Sequence, residues 1–332
     1  MRSILSFARL LAVVSLVLAC SCAKKIKVDA EGARAIAKEA YVYGLPIVDN
    51  YKVMYAYALY KQSGAFKAPF NALAIVTPDT AQTDSTHAHT APRTPYGLSW
   101  LDLRKEPAVI TVPPMENGRE FSVQLVDMYT FHFAELTSGE HGEAGGQFMI
   151  VPGQWSGKAP NGISKVIPCE TTIALAIIRV KSRTPETTAR TEAFLSRFNV
   201  ETLSQFLGTS PNSPDAVIFP PYSPETAQGA GFFQYLNFAL QFCPVNPSEI
   251  QDRAQFAKLG IAAGKTFNIA TMDKAMLDAI NAGMTDARAE IASEISNTPE
   301  GAAQYGTRAQ LKNNFLARAA AAKIRLYGPP RL

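Results

Sequence analysis

Thirteen residues constrain the fold of this chain more than any other stretch. From Phe121 to Phe133 the odd positions carry Phe121, Val123, Leu125, Tyr129, Phe131 and Phe133, while the even ones include Ser122, Gln124, Thr130 and His132. An apolar residue at every second position is the period of a strand with one buried face. Asp127 falls on the apolar side of that alternation, where an unpaired carboxylate is costly. Two readings stand. A bulge re-aims the side chain, which the length of the run favours because strands usually span about 5–6 residues. Alternatively, Asp127 has a buried partner among Arg93, Tyr96 and His132.

The flanking sequence supplies further strands. Upstream, Thr94-Pro95-Tyr96 leads through Trp100-Leu101-Asp102-Leu103 to an apolar run, Ala108 to Val112, which Pro113-Pro114 ends before a Glu116 to Arg119 turn. Leu73 to Val76 is a shorter candidate. Downstream come Gln147 to Val151, a Pro152-Gly153 turn, Ser164 to Ile167, and Thr171 to Val180. The last is apolar on both faces, as a central strand is. Short strands joined by Gly and Pro turns without intervening helices predict an antiparallel sandwich.

Both ends read differently. Ala30 to Lys61 is helical in pattern, with Gly44 and Pro46 expected to stop or kink it. Tyr41, Tyr43, Tyr51, Tyr55, Tyr57 and Tyr60 fall there, either as a packing face whose hydroxyls reach water or as a sugar platform. At Thr184-Pro185-Glu186 a helix start appears. Helical patterns then occupy 185–197, 231–242, 247–258, 272–281, 284–296 and 308–326. The fold class is α+β, with an antiparallel β-sandwich preceded by a helix and followed by a mostly helical region. The boundaries are residues 1–22 as an export signal, 23–62 as tether and helix, 63–183 as the sandwich and 184–332 as the helical region.

The export signal places the protein. Arg2 and Arg9 precede the apolar stretch Leu10 to Leu18, which closes on Val17-Leu18-Ala19-Cys20. This is the pattern of a bacterial signal peptide with a lipobox, and it is too short to span a bilayer, which takes about 20 residues. Cys20 is the expected lipidation site, carrying palmitate, and Ser21 after it points to the outer membrane, facing periplasm or exterior. The membrane, reached through that lipid, is the first expected partner, and a second copy of the chain is another. Losing Arg2 and Arg9 from 32 basic residues leaves 30 against 28 acidic ones, a balance that offers nucleic acid no attraction. Cys169 and Cys243 remain in the folded part; an oxidising compartment permits a disulfide, but their apolar contexts favour two buried thiols.

Taken together, several phrases resemble bacterial proteins carrying the domain of unknown function 1254. They are Ala40-Tyr41-Val42-Tyr43-Gly44-Leu45-Pro46, Thr94-Pro95-Tyr96, Trp100-Leu101-Asp102-Leu103, Phe121 to Thr130, and Tyr235-Leu236-Asn237-Phe238 with Gln241-Phe242-Cys243-Pro244. The resemblance implies an immunoglobulin-like sandwich, a helical segment and then a jelly-roll, the domain of unknown function 1214, of which only the leading helix at Asn314 to Gly328 is expected here. It also implies Asn-x-Asp-Thr-x-Tyr before the Trp-Leu-Asp-Leu phrase. Here the Asn and Asp positions hold Ala91 and Arg93, leaving Thr94 and Tyr96.

No Gly-x-Ser-x-Gly elbow, Walker loop or His-Glu-x-x-His appears, and no cofactor is called for. His87 and His89, with His132 or Asp84, form a weak metal candidate. Glu140, His141 and Glu143 lie in a glycine-rich turn and are expected to be solvated. The leading reading is an envelope lipoprotein that binds a glycan or small ligand through Arg93, Tyr96, Trp100, Asp127, Tyr129 and His132. Beside it stand a hydrolase or lyase using Asp127 and His132 as an acid–base pair, and a truncated product without independent function.

Overall fold

The computed structural model describes residues 28–78, 94–116, 118–183, 186–210, 212, 215–299 and 304–328. The export signal with Cys20, the candidates His87, His89 and Asp84, the site residue Arg93 and the Thr184-Pro185 helix start all lie outside the described residues.

The alternating segment folds as two strands, not one. Strand β4 (Arg119–Asp127) turns at residues 128–131 into β5 (His132–Thr137), and the pairing register slips between Leu125 and Val126. The turn is possible because Thr130 adopts a left-handed φ of 73° and its N–H donates to the Asp127 carbonyl at 2.9 Å. With β1 (Ala74–Val76), β2 (Tyr96–Asp102) and β8 (Ile173–Ser182), these strands form an antiparallel sheet in the order β1-β2-β8-β4-β5. The apolar run expected to be central, β8, is the middle strand. The second sheet has the order β7-β6-β3-β9, from β3 (Ala108–Val112), β6 (Gly146–Pro152), β7 (Ile163–Cys169) and β9 (Asn199–Thr202). Its β6–β7 pair is parallel, a departure from the antiparallel expectation. Residues 153–162 cross back before β7, so the two strands run the same way. Strand β9, which follows residue 183, completes this sheet.

The five-stranded sheet is buried on both faces, where the alternation predicted one. Phe121, Val123, Leu125, Ala176 and Ile178 point into a core shared with Ile110, Phe148, Ile150 and Val200 of the second sheet. On the opposite face Tyr96, Leu98, Trp100, Leu175 and Ile177 pack under helices. Ser122 and Gln124, the polar half of the alternation, are therefore buried at 0 and 1% exposure. The covering layer comprises α1 (Ala30–Met54), α3 (Phe232–Ala239), α4 (Ile250–Ala257), α5 (Lys274–Asn297) and α6 (Phe315–Ile324). Helix α2 (Thr188–Leu195), capped by Thr187 rather than Thr184, packs at the sandwich.

Three helix boundaries differ from the sequence reading. Helix α1 runs through Gly44 and Pro46 without a stop and continues as a π-turn, Tyr55–Leu59. Packing along most of its length offsets the hydrogen bond that Pro46 cannot donate. Glycine at 44 serves contact: a Cβ there would lie 2.5 Å from Leu236 Cδ2 on α3. Likewise α5 is one helix through Gly283, where a Cβ would lie 2.2 Å from the Arg34 carbonyl. The C-terminal pattern breaks into Arg308–Leu311 and α6, with Lys312 at a φ of 51°. The tyrosines of α1 also differ from expectation. Tyr43 and Tyr51 are fully buried, and their hydroxyls donate to Glu249 Oε2 at 2.8 Å and the Pro220 carbonyl at 2.6 Å rather than to water.

Gly283→Ala is expected to lower stability by about 1–3 kcal/mol, because the contact it creates is with backbone. Urea denaturation of the two proteins measures the difference.

Candidate functional site

The tip of the β4–β5 hairpin carries a buried ionic network. Asp127 is 1% exposed, and its Oδ1 accepts from the Phe131 N–H at 2.8 Å. The register slips between Leu125 and Val126, two residues before it, and its bonded partner is this backbone N–H rather than Tyr96 or His132; Arg93 lies outside the described residues. Arg318, 4% exposed, donates from Nη2 to the Tyr129 carbonyl and lies over the Phe131 ring at 3.9 Å. Arg308 stacks on Tyr129 and Phe131, bonds Glu170 Oε2 at 2.7 Å, and reaches the fully buried Glu249. From Glu249 the network continues to the Tyr43 hydroxyl, and Arg253 Nη1 donates to the hydroxyls of Tyr43 at 3.1 Å and Tyr129 at 3.3 Å.

This chemistry comes from distant parts of the chain. Asp127 and Tyr129 sit on the hairpin, Tyr43 on α1, Arg253 on α4 one turn after Glu249, and Arg318 on α6. Sequence reasoning missed the three arginines, Glu170 and Glu249. One signal was legible: Arg318 stands alone in the apolar run Phe315-Leu316-Ala317-Arg318-Ala319-Ala320, where a guanidinium needs a buried partner. Burial, only partly opposed by the Phe131 hydrogen bond, pushes the Asp127 carboxyl up to about 7. Burial also holds the neutral thiols of Cys169, raised to about 12, and Cys243, raised well above the ordinary range. Both cysteines are free, as the sequence reading favoured.

The remaining site candidates lie elsewhere on the sheet. His132 stacks on Tyr305 at 6.0 Å, with Nε2 3.1 Å from Gln124 Nε2. An amide nitrogen only donates, so the facing ring nitrogen is the acceptor in that contact. Gln124 also donates to the Tyr327 carbonyl at 2.8 Å and accepts from Arg179 at 3.1 Å. Tyr96 and Trp100 face the helices from β2, at 6 and 1% exposure; the Trp100 indole N–H and the Ser122 hydroxyl are buried without a hydrogen-bond partner among the described residues. The structure therefore brings Tyr129 into the ionic network, leaves the Asp127 carboxyl bonded to the Phe131 N–H beside it, and places His132 in another network. His141 is not fully solvated: its ring packs on Phe148 at 5.0 Å, and burial lowers its pKa. No metal-binding group of three or more His, Cys, Asp or Glu residues occurs among the described residues.

A cleft of about 380 Å³ lies among α1, α4, α5 and the start of α6. Val42, Phe256, Phe315 and Leu316 contribute its apolar walls. Phe256 and Phe315 rest on Tyr43, with ring centroids 5.3 and 5.0 Å away, so the network positions the walls from beneath. Lys38 and Glu39 of α1, Asp252 of α4, Glu290 of α5 and Asn313-Asn314 before α6 supply polar groups. The spacing Asp252/Phe256 puts both residues on one helix face. Asn314 caps α6 through the Ala317 N–H, and Asn313 Nδ2 donates to the Ser248 carbonyl at 2.7 Å. A concave, partly apolar space with convergent polar groups can hold an organic ligand of modest size.

Two outcomes test the network. Arg308→Met leaves Glu249 buried without its guanidinium and is expected to cost roughly 3–5 kcal/mol; adding Glu249→Gln is expected to recover part of the loss in denaturant unfolding. For Asp127 the folded pKa, about 7, exceeds the ordinary 3.8. The stability it contributes is fully present below about pH 4 and is lost as pH rises through about 7. Asp127→Asn keeps the acceptor and removes the titration, so the variant should gain on the wild type as pH rises through that window, read from unfolding midpoints.

Comparison with known proteins adds fold and family. No curated protein matches the chain. The chain is similar to the crystal structure of the VPA0106 protein from Vibrio parahaemolyticus, with a TM-score of 0.71, 22% identity, and coverage of 90% of this chain and 68% of that one. At that identity the likeness is one of fold. The model of the family described as protein of unknown function (DUF1254) matches residues 70–202, a segment that holds both sheets and the Asp127 hairpin but not the helical walls of the cleft. Over residues 70–202 the chain is thus similar to the DUF1254 family of proteins of unknown function.

Proposed function

We propose that this protein is a lipid-anchored envelope protein whose helical layer binds a glycan or small ligand in the cleft between α1, α4 and α6. The observation that carries the reading is the cleft itself. Its volume of about 380 Å³ falls within the roughly 300–1,000 Å³ usual for ligand sites, and both apolar and polar side chains line it. The aromatic residues of the sandwich, Tyr96, Trp100 and Tyr129, are buried and serve as packing beneath the helices. Ligand contact is assigned to the helical surface instead. Anchoring rests on the sequence Val17-Leu18-Ala19-Cys20; among the described residues no helix is long and apolar enough to cross a membrane.

Titration calorimetry against envelope glycans is expected to show heat with the wild type and none with Leu316→Trp, which fills the cleft from its wall while circular dichroism stays unchanged. Absence of heat with every glycan, or equal heat with the filled variant, counts against the reading. For the anchor, metabolic labelling with a palmitate analogue is expected to mark the wild type and to fail on Cys20→Ser.

A further inference from the structure

The charges around the cleft do not balance. Glu39, Asp252 and Glu290 line it against one cation, Lys38, whose ammonium is bound to Glu290 at 2.9 Å. Glu39 and Asp252 form no salt bridge among the described residues. The arginines of the ionic network are committed elsewhere: Arg253 to the hydroxyls of Tyr43 and Tyr129, Arg308 to Glu170 and Glu249, and Arg318 to the Tyr129 carbonyl. The walls thus present negative charge around an apolar surface, with the amide of Asn313 held in place by Ser248 beside it. Burial, and then repulsion from Glu249, raises the Asp252 carboxyl above the ordinary range.

Resting on the binding role above, we propose that the cleft selects a ligand carrying a protonated amine on a body with one apolar face, and that within the glycan class this means a sugar with free rather than acetylated amines. The amine ion-pairs with Asp252, which is partly buried so that the attraction is stronger than in bulk water, and with the exposed Glu39 at the rim. The carbon face of the ring packs on Phe315 and Leu316, and hydroxyls reach Asn313 and Asn314. An acetylated amine carries no charge, leaves both carboxylates without a cation, and adds bulk in the same place. Discrimination then follows from a missing charge and an added group together.

The test uses a matched pair of probes: the disaccharide of glucosamine with both amines free, and the same disaccharide with both acetylated. Calorimetry on the full chain, at a pH where the free amines are protonated, is expected to give at least about tenfold tighter binding of the free-amine form, the ratio that one retained ion pair supplies. Asp252→Asn with Glu39→Gln is expected to bring the two affinities within about twofold, and added salt to weaken only the free-amine form. If the acetylated form binds the wild type as tightly and Leu316→Trp removes that binding, the charge selection is overturned while the cleft stands as a ligand site. Lack of binding by both probes overturns the selection, and the glycan screen above then decides the binding role separately. A free-amine preference that survives the double substitution also overturns the assignment to these carboxylates.

Discussion

The pairing of Arg308 and Arg318 with the β4–β5 hairpin tip is the interaction on which the other layers depend. It joins a turn of the five-stranded sheet to residues about two hundred positions later in the chain, through Glu170, Glu249 and the Tyr129 carbonyl. Charges buried this deeply cost several kcal/mol each unless partners are supplied. Here the partners come from strand, loop and helix at once. The helices can cover the sheet only where those partners meet, so the network fixes register between layers as much as it adds stability.

From that constraint the rest of the architecture follows. Because the helical layer is seated on the five-stranded sheet, Gln124 and Ser122 lose water, and Gln124 turns to the Tyr327 carbonyl and Arg179. Tyr43, pinned between Glu249 and Arg253, supports Phe256 and Phe315. The cleft is therefore a surface consequence of a buried arrangement. Its walls belong to four helices and one break between helices, and no single segment contains them.

The cleft lies outside the segment that the DUF1254 family model matches, whereas the hairpin with Asp127 lies inside it. Within that segment the sheets supply a platform and one half of the ionic network. The other half comes from α1, α4, the turn at Arg308 and α6. The similar fold of the Vibrio parahaemolyticus protein, extending over 90% of this chain, takes in the sheets and the helices together.

Much of the strand content was legible from period and punctuation. Val123 and Leu125 announced a buried face, Pro113-Pro114 ended β3, and the doubly apolar run to Val180 identified the central strand, because these signals are local in the chain. Local signals also misled. Pro46 reads as a stop, yet packing along α1 overrides it, and the alternation from Phe121 to Phe133, interrupted only at Asp127 on its apolar side, hides a hairpin because a turn with Thr130 in the left-handed region leaves the period almost intact. The sequence by itself determined most of the strands and helices and that Asp127 needed a partner. Only the tertiary structure decided that Ser122 and Gln124 are interior, that Arg253, Arg308 and Arg318 converge, and that Glu39 and Asp252 share a cleft. Those outcomes depend on contacts between residues far apart in the chain, and no periodicity within a segment records which distant face will cover it.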